Sequence, residues 1–326
     1  MISLMKIKEC NTSKFQVCIS TSLFKMENPY RSFDKYIEKL KMWRKAIPKN
    51  AYIRLYVDAS VLEETSFINL MKLNLYNLEV YLYECKELLD SSGIYHDGTF
   101  GSVVRFLPLI YKDVPKNVKY VWVTDTDMYP NMFRIDYLGQ MMKVNVDISY
   151  ASDACYNRPW IDSKNEYPII NKRVIVTSNF LRKANIPKNL LDKFLQKVLN
   201  GEYTKIRDEI VKMSPRKSAE YFPYGFDELF TNKFLLPYFQ RTSSIIQLKL
   251  NLFKLANDTD TLYPLESKLL FSTGDKATVL KLKEYFDKYS EKHSENPCVK
   301  KYLEYRNFLS YEDFDFSVRI TRYFSM

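Results

Sequence analysis

The stretch KYVWVTDTDMYP, residues 119–130, is an apolar run followed at once by two aspartates, Asp125 and Asp127. Valine, tyrosine and tryptophan favour extended chain, so residues 118–124 predict a buried β-strand. The two carboxylates then follow the carboxyl end of that strand. In open α/β sheets the ligand crevice lies outside the carboxyl ends of the strands, so the pair occupies a position typical of a binding site.

The segments before this strand alternate between the strand and helix patterns. The predicted strands cover residues 15–21, 51–58, 78–85 and 118–124, and the predicted helices cover residues 28–48, 66–74 and 96–110. Helical crossovers between strands favour parallel pairing. The sequence therefore predicts an α/β fold with a Rossmann-like, mixed and mostly parallel sheet flanked by helices. Further along, residues 146–152 and 173–178 predict strands, residues 187–213 two helices, and residues 224–239 a loop that opens into a helix.

Composition excludes several classes of protein. The 326 residues are 46% hydrophobic and 27% charged, which is typical of a folded, soluble protein. No run of about eighteen apolar residues occurs, and residues 1–10 do not resemble a secretory signal. Five scattered cysteines indicate reduced thiols in a cytosol-like compartment, and two histidines argue against a His-rich zinc site.

The net charge of +10 raises the question of an anionic partner. Residues 181–217 hold ten Lys and Arg against four Asp and Glu. Within residues 189–200 the lysines alternate with a helical apolar stripe, which favours a solvated helix face. A surface for acidic lipid headgroups or for an anionic acceptor stays open, whereas the few aromatic residues here argue against nucleic acid.

Asp125 and Asp127 suit a hard divalent cation. Mg²⁺ and Mn²⁺ bind carboxylate oxygens and complete their shells with water and substrate phosphates. Such a cation would offset the charge that develops on a diphosphate leaving group. A capping or turn role for the pair is the alternative.

The residues around this pair resemble those of metal-dependent glycosyltransferases of the GT-A fold, especially the glycogenin-like and lipopolysaccharide galactosyltransferase group. The resemblance covers roughly residues 15–276 and is most specific in GSVVRFLPLIYKDVPKNVKYVWVTDTDMYP, residues 101–130. It implies that Asp125 and Asp127 hold Mn²⁺ or Mg²⁺ and the diphosphate. It also implies that Arg105 contacts the donor nucleotide sugar.

A second segment, YGFDELFTN at residues 224–232, resembles the late Asp-Gln-Asp-x-x-Asn element of the same group, with Glu228 in place of the Gln. The resemblance implies that Asp227 or Glu228 is the catalytic carboxylate beside the anomeric carbon. The alternative is that Asp227 is an ordinary helix cap. Because of the substitution at residue 228, the stereochemical outcome, inverting or retaining, stays open.

Weaker similarities add candidate donor contacts. They are Ser20, Thr21, Asp58, Asp153, Asn171 and Lys276. Asp58 also suits a turn. FSTGDKAT, residues 271–278, keeps Gly274 and Lys276 but lacks the histidine that relatives use as a third metal ligand.

The resemblance implies transfer of a hexose from a UDP- or GDP-sugar to a hydroxyl acceptor on a glycan, lipid or protein. The expected organisation is a catalytic domain over residues 1–276 with a helical extension, residues 277–326, packed on it. The expected location is cytoplasmic, with peripheral membrane contact left open, and no nucleic acid is expected as a partner. The alternatives are a catalytically inactive relative that binds nucleotide or glycan, and a nucleic-acid-binding protein that uses the basic helices.

Overall fold

The computed structural model describes part of the chain. It covers residues 2–25, 32–73, 75–89, 100–111, 113–126, 147–153, 180–182, 186–202, 227, 230–235, 238–239, 242, 245–255 and 258–272. The chain divides into two compact units, Met1–Met128 with Ala184–Leu236 and Tyr129–Lys183 with Pro237–Met326. The predicted boundary between residues 276 and 277 lies outside the described residues, as does the predicted C-terminal extension.

The first unit is built on five strands. They are β1 (Ser3–Lys8), β2 (Val17–Leu23), β3 (Ala51–Val57), β4 (Leu78–Glu84) and β5 (Tyr120–Val123), in the order β1-β4-β3-β2-β5. Strands β2, β3, β4 and β5 are parallel, and β1 pairs antiparallel with β4. The predicted α/β fold class with a mixed, mostly parallel sheet is therefore confirmed.

Helices connect the parallel strands. Helix α1 (Phe33–Ala46) joins β2 to β3, and the short helix α2 (Ala59–Leu62) and helix α3 (Thr65–Lys72) join β3 to β4. Every residue of β2, β3 and β5 is buried. Continuous burial of this kind is expected where both faces of a parallel sheet are covered.

The two faces of the sheet differ in chemistry. On one face, Trp43 of α1 packs edge to face on Trp122 of β5, with ring centroids 5.3 Å apart. Trp122 is in register with Ile19 of β2, so this face is apolar. The other face is polar, because Ser20 of β2 and Arg54 of β3 lie side by side there.

Helix α4 (Phe100–Val104) and helix α5 (Leu107–Ile110) belong to the polar face, where Phe100 contacts Tyr83 of β4 at 6.2 Å between ring centroids. The pattern of residues 96–110 predicts one helix, but two short helices are present among the residues described. Pro108 explains the break, because it cannot donate a hydrogen bond to the carbonyl of Val104. Helix α5 restarts with that proline in its first turn, where no donor is needed.

The first unit also contains two short 3-10 helices, Thr12–Lys14 and Lys86–Leu88, helix α6 (Lys188–Leu199) and a π-helical segment (Thr231–Leu235). Phe194 of α6 contacts Phe230 at 4.9 Å and Phe234 at 5.5 Å between ring centroids. Phe230 in turn packs on Phe106 at 5.7 Å. This aromatic cluster joins α6 and the π-helical segment to the α4–α5 connection.

The second unit contributes four strands to the described residues. They are β6 (Ile148–Asp153), β7 (Phe180–Arg182), β8 (Ile245–Leu255) and β9 (Asp258–Ser272). Strand β6 is parallel to β8 and antiparallel to β7, and β8 pairs antiparallel with β9. The β6 prediction is confirmed, whereas β1, β7, β8 and β9 were not predicted. The strand predicted at residues 173–178 lies outside the described residues.

Candidate functional site at the carboxyl end of strand β5

Strand order places Asp125 at a change of direction in the sheet. From β2, the chain moves to β3 and β4 on one side, and β5 then lies on the other side of β2. Ligand crevices in open α/β sheets form at such a switch point, outside the carboxyl ends of the two strands. Asp125 lies two residues after the end of β5, and its side chain is 38% exposed.

A buried arginine joins this aspartate to a distant one. Arg105 donates a hydrogen bond from Nη1 to Oδ1 of Asp125 and another from Nη2 to Oδ2 of Asp227. The Arg105 side chain is 3% exposed and that of Asp227 is 11% exposed. Counted as ionised groups, one cation and two anions leave this cluster with one net negative charge.

The interruption between α4 and α5 positions Arg105. Because the helix stops at Val104, the backbone carbonyl of Arg105 is available to the sheet below it. Ser20, which is fully buried in β2, donates a hydrogen bond from Oγ to that carbonyl at 2.6 Å. The arginine is thus fixed at its backbone by β2 while its side chain extends to the two carboxylates.

Asp227 is positioned by the π-helical segment. Thr231 donates a hydrogen bond from Oγ1 to the backbone carbonyl of Asp227 at 2.9 Å. Phe230, three residues after Asp227, is fully buried against Phe106 and Phe194. Burial of Phe230 therefore holds the start of this segment beside the α4–α5 connection, where Arg105 reaches it.

The structure places the other predicted residues as follows. Ser20 is the central residue of β2 and Thr21 follows it; both are buried. Thr126 donates from Oγ1 to the carbonyl of Ser22, nearer the carboxyl end of the strand, at 3.4 Å. Asp153 ends β6, in the second unit. Asp127, Asn171, Glu228 and Lys276 lie outside the described residues. Donor contacts by all of these residues stay predictions.

Asp58 follows β3 directly and precedes α2. Its Oδ1 accepts a hydrogen bond from Oγ of Ser60 at 2.5 Å, which is the local geometry expected of a turn-forming aspartate. Burial raises the pKa of Asp58 to about 6, and the hydrogen bonds from Ser60 oppose this shift. The donor contact predicted for Asp58 stays a prediction beside this local role.

Mg²⁺ and Mn²⁺ require oxygen ligands, which carboxylates supply. Within the described part of the chain, no three His, Cys, Asp or Glu side chains converge on one point. Asp125 nevertheless offers a partly exposed carboxylate, and these cations are commonly held by one or two carboxylates together with substrate phosphates. The residues present are therefore compatible with a cation that is shared with a diphosphate.

The polar face carries a second charged cluster, which was not predicted from the sequence. Arg54 donates from Nε to Oε2 of Glu79 at 2.7 Å, and its Nη1 lies 2.8 Å from Oδ2 of Asp113. Nζ of Lys6 lies 3.0 Å from Oε1 of Glu79. The available signal was Arg54 itself, because a charge inside the apolar run AYIRLYV needs a buried partner.

No known protein family matches the sequence, and no curated protein is similar to it. Among solved structures, the chain is similar to 4-diphosphocytidyl-2C-methyl-D-erythritol synthase from Anaerococcus prevotii, with 13% sequence identity, coverage of 72% of this chain and 89% of that chain, and a TM-score of 0.34. It is also similar to mouse xyloside xylosyltransferase 1 in its apo form, with 14% identity, coverage of 67% and 80%, and a TM-score of 0.30. These similarities are too weak to assign the fold, so the fold class is assigned from the order and direction of the strands.

Proposed function

We propose that this protein is a metal-dependent glycosyltransferase of the GT-A type. It moves a hexose from a UDP- or GDP-sugar to a hydroxyl group of an acceptor. The donor diphosphate binds at the carboxyl ends of β2 and β5, beside Asp125. The acceptor hydroxyl approaches from the side of Asp227 and Glu228.

One observation supports this proposal above the others. Arg105 and Asp125 belong to one segment that the sequence marks as a candidate, residues 101–130, and Asp227 belongs to a second, residues 224–232. Arg105 and Asp227 are 122 residues apart in the chain, yet they are hydrogen-bonded at the topological switch point of the sheet. A capping role for Asp227 does not require a buried arginine that it shares with Asp125.

In the proposed reaction, the bond from the anomeric carbon to the diphosphate breaks and a bond to the acceptor oxygen forms. The acceptor proton leaves with a base, and the diphosphate departs with the bonding electrons. Asp227, held by Arg105 and by its backbone bond from Thr231, is positioned to orient the acceptor or to take its proton. Arg105 fixes the orientation of the Asp125 and Asp227 carboxylates, between which its charge is shared.

Asp125 and Asp127 are the proposed ligands of Mn²⁺ or Mg²⁺. When bound, such a cation supplies Lewis-acid stabilisation of the leaving diphosphate. One oxygen of Asp125 accepts a hydrogen bond from Arg105, and 38% of its side chain remains exposed to solvent. Arg105 therefore fixes the orientation of the carboxylate that meets the cation.

The test is a panel of nucleotide sugars assayed for release of nucleoside diphosphate, with and without Mn²⁺. Asp227→Asn should lower turnover strongly while leaving nucleotide binding nearly intact. Glu38→Gln, which removes an exposed carboxylate on α1, is the matched control and should behave like the native chain. Undiminished turnover by Asp227→Asn would remove its catalytic role.

One observation favours a second candidate, a nucleotide- or glycan-binding protein without turnover. Arg105 binds one oxygen of the Asp125 carboxylate and one of the Asp227 carboxylate, so part of their negative charge is balanced within the protein itself. For this candidate, a nucleotide sugar would stabilise the chain but would not be consumed, with or without acceptor sugars. Metal-dependent release of nucleoside diphosphate would exclude it.

A further inference from the structure

Four large apolar side chains are exposed together at one edge of the first unit. Five large apolar residues are exposed among those described, and four of them, Met5, Ile68, Leu73 and Tyr76, belong to β1, α3 and the turn after α3. Their exposure ranges from 39% to 57%. Strand β1 lies at the opposite end of the five-strand order from β5, so this edge is remote from the candidate site.

Hydrogen bonds and ring contacts hold these segments side by side. Nζ of Lys8 in β1 donates to the carbonyls of Met71 and Leu73, at 3.3 and 3.4 Å. Nζ of Lys14 lies 5.1 Å from the centre of the Tyr76 ring. These contacts hold the start of the chain beside the end of α3 and the turn after it, and the surface of β1, α3 and that turn is named here the β1–α3 edge.

This edge is basic as well as apolar. Lys8, Lys14 and Lys72 lie among its apolar side chains, and residues 65–78 contain no aspartate or glutamate. On either side, Glu9 lies 3.9 Å from Nζ of Lys6, Glu64 lies 2.5 Å from Nζ of Lys25, and Glu63 is exposed. Interspersed lysines, aliphatic side chains and a tyrosine suit an anionic bilayer surface, which attracts the ammonium groups and receives the apolar ones.

The edge is poorly suited to strand addition by a second copy. A β-bulge interrupts the register of β1 between residues 6 and 8, and both of these residues are lysines. Bulges and lysines are the usual means by which sheet edges resist pairing with another strand. We propose that the β1–α3 edge docks the protein on membranes that contain anionic phospholipids.

The test is sedimentation of the full chain with vesicles of phosphatidylcholine alone or of phosphatidylcholine mixed with phosphatidylglycerol. Binding should require phosphatidylglycerol and should weaken at high ionic strength. The variant Lys14→Gln/Lys72→Gln should lower the partition coefficient by about 25-fold, at roughly fivefold for each lysine. Circular dichroism on each variant verifies that it is folded.

The matched control is Lys188→Gln/Lys193→Gln, which removes the same charge from exposed positions of α6. It should bind nearly as well as the native chain. Leu73→Ser/Tyr76→Ser should also weaken binding, whereas Leu199→Ser, which changes an equally exposed residue of α6, should not.

Three results would overturn the proposal. They are equal binding to both kinds of vesicle, loss of binding only in the α6 control, and light scattering that shows a dimer broken by Leu73→Ser/Tyr76→Ser.

Discussion

Removal of the Arg105 side chain should destabilise the first unit, because the Asp227 carboxylate would remain buried without the arginine that balances its charge. Arg105→Met keeps a long apolar stem but removes both hydrogen bonds to Asp125 and Asp227. Breaking one side of a buried ion pair typically costs about 3–5 kcal/mol, because the remaining charge is left uncompensated. We expect a loss of unfolding free energy in this range.

The two carboxylates should contribute unequally. Asp227 is 11% exposed, so water compensates little of its charge when Arg105→Met removes the guanidinium. Asp125 is 38% exposed, and water compensates it, so its share should stay below about 1 kcal/mol. Adding Asp227→Asn to Arg105→Met should therefore restore about 2 kcal/mol or more, whereas adding Asp125→Asn should restore less than about 1 kcal/mol.

The assay is urea unfolding followed by tryptophan fluorescence in a Trp160→Phe background. The remaining tryptophans, Trp43 and Trp122, are buried against each other in the first unit, so their signal follows that unit. Equal recovery of unfolding free energy in the two double variants would contradict the unequal contributions of Asp125 and Asp227. A cost below about 1 kcal/mol for Arg105→Met would contradict the expected destabilisation, since a buried pair would then be worth no more than an exposed one.

Two further predictions concern stability away from the candidate site. The pKa of Asp58 is raised by burial from 3.8 to about 6, so the folded chain keeps a proton that the unfolded chain has released over this pH range. As the pH rises through this window, the unfolding free energy should fall by up to about 3 kcal/mol. Asp58→Asn should remove that pH dependence. Native and variant curves of unfolding free energy against pH that run parallel would contradict this prediction. Glu79→Gln should cost about 3 kcal/mol in urea unfolding, because Arg54 loses a buried anionic partner, whereas Lys6→Gln, which changes a side chain that is 35% exposed, should cost less than about 1 kcal/mol. Similar costs for these two variants would show that burial does not set the strength of the pairs.

The parts of the fold that the sequence predicted are those fixed by local pattern. Strand β5 is a continuous apolar run and is buried throughout, so its residues alone identify it. Helix α1 has its apolar residues at helical spacing over 14 residues. Strand β1 gave no such signal because half of its six residues are exposed, and its extended form depends on pairing with β4, more than 70 residues away.

The candidate site was predictable residue by residue but not as an arrangement. Asp125 could be placed at a strand end from short-range pattern alone. The contact between Arg105 and Asp227 depends on the sheet order, on the break that Pro108 causes and on the burial of Phe230, which no local pattern specifies. The hydrogen bond from Ser20 to the Arg105 carbonyl was missed for the same reason, since these residues are 85 apart in the chain.

We propose that the carboxylate after β5, that of Asp125, takes part in binding a cation together with the donor diphosphate. The most direct test is the shift in unfolding free energy of the full chain on adding a UDP- or GDP-sugar, with and without Mn²⁺. At a hundred times the dissociation constant the native chain should gain about 2.7 kcal/mol, only with Mn²⁺ present, and Glu38→Gln should gain as much. Asp125→Asn should gain almost nothing, and a full gain in that variant, or in the native chain without metal, would contradict the claim.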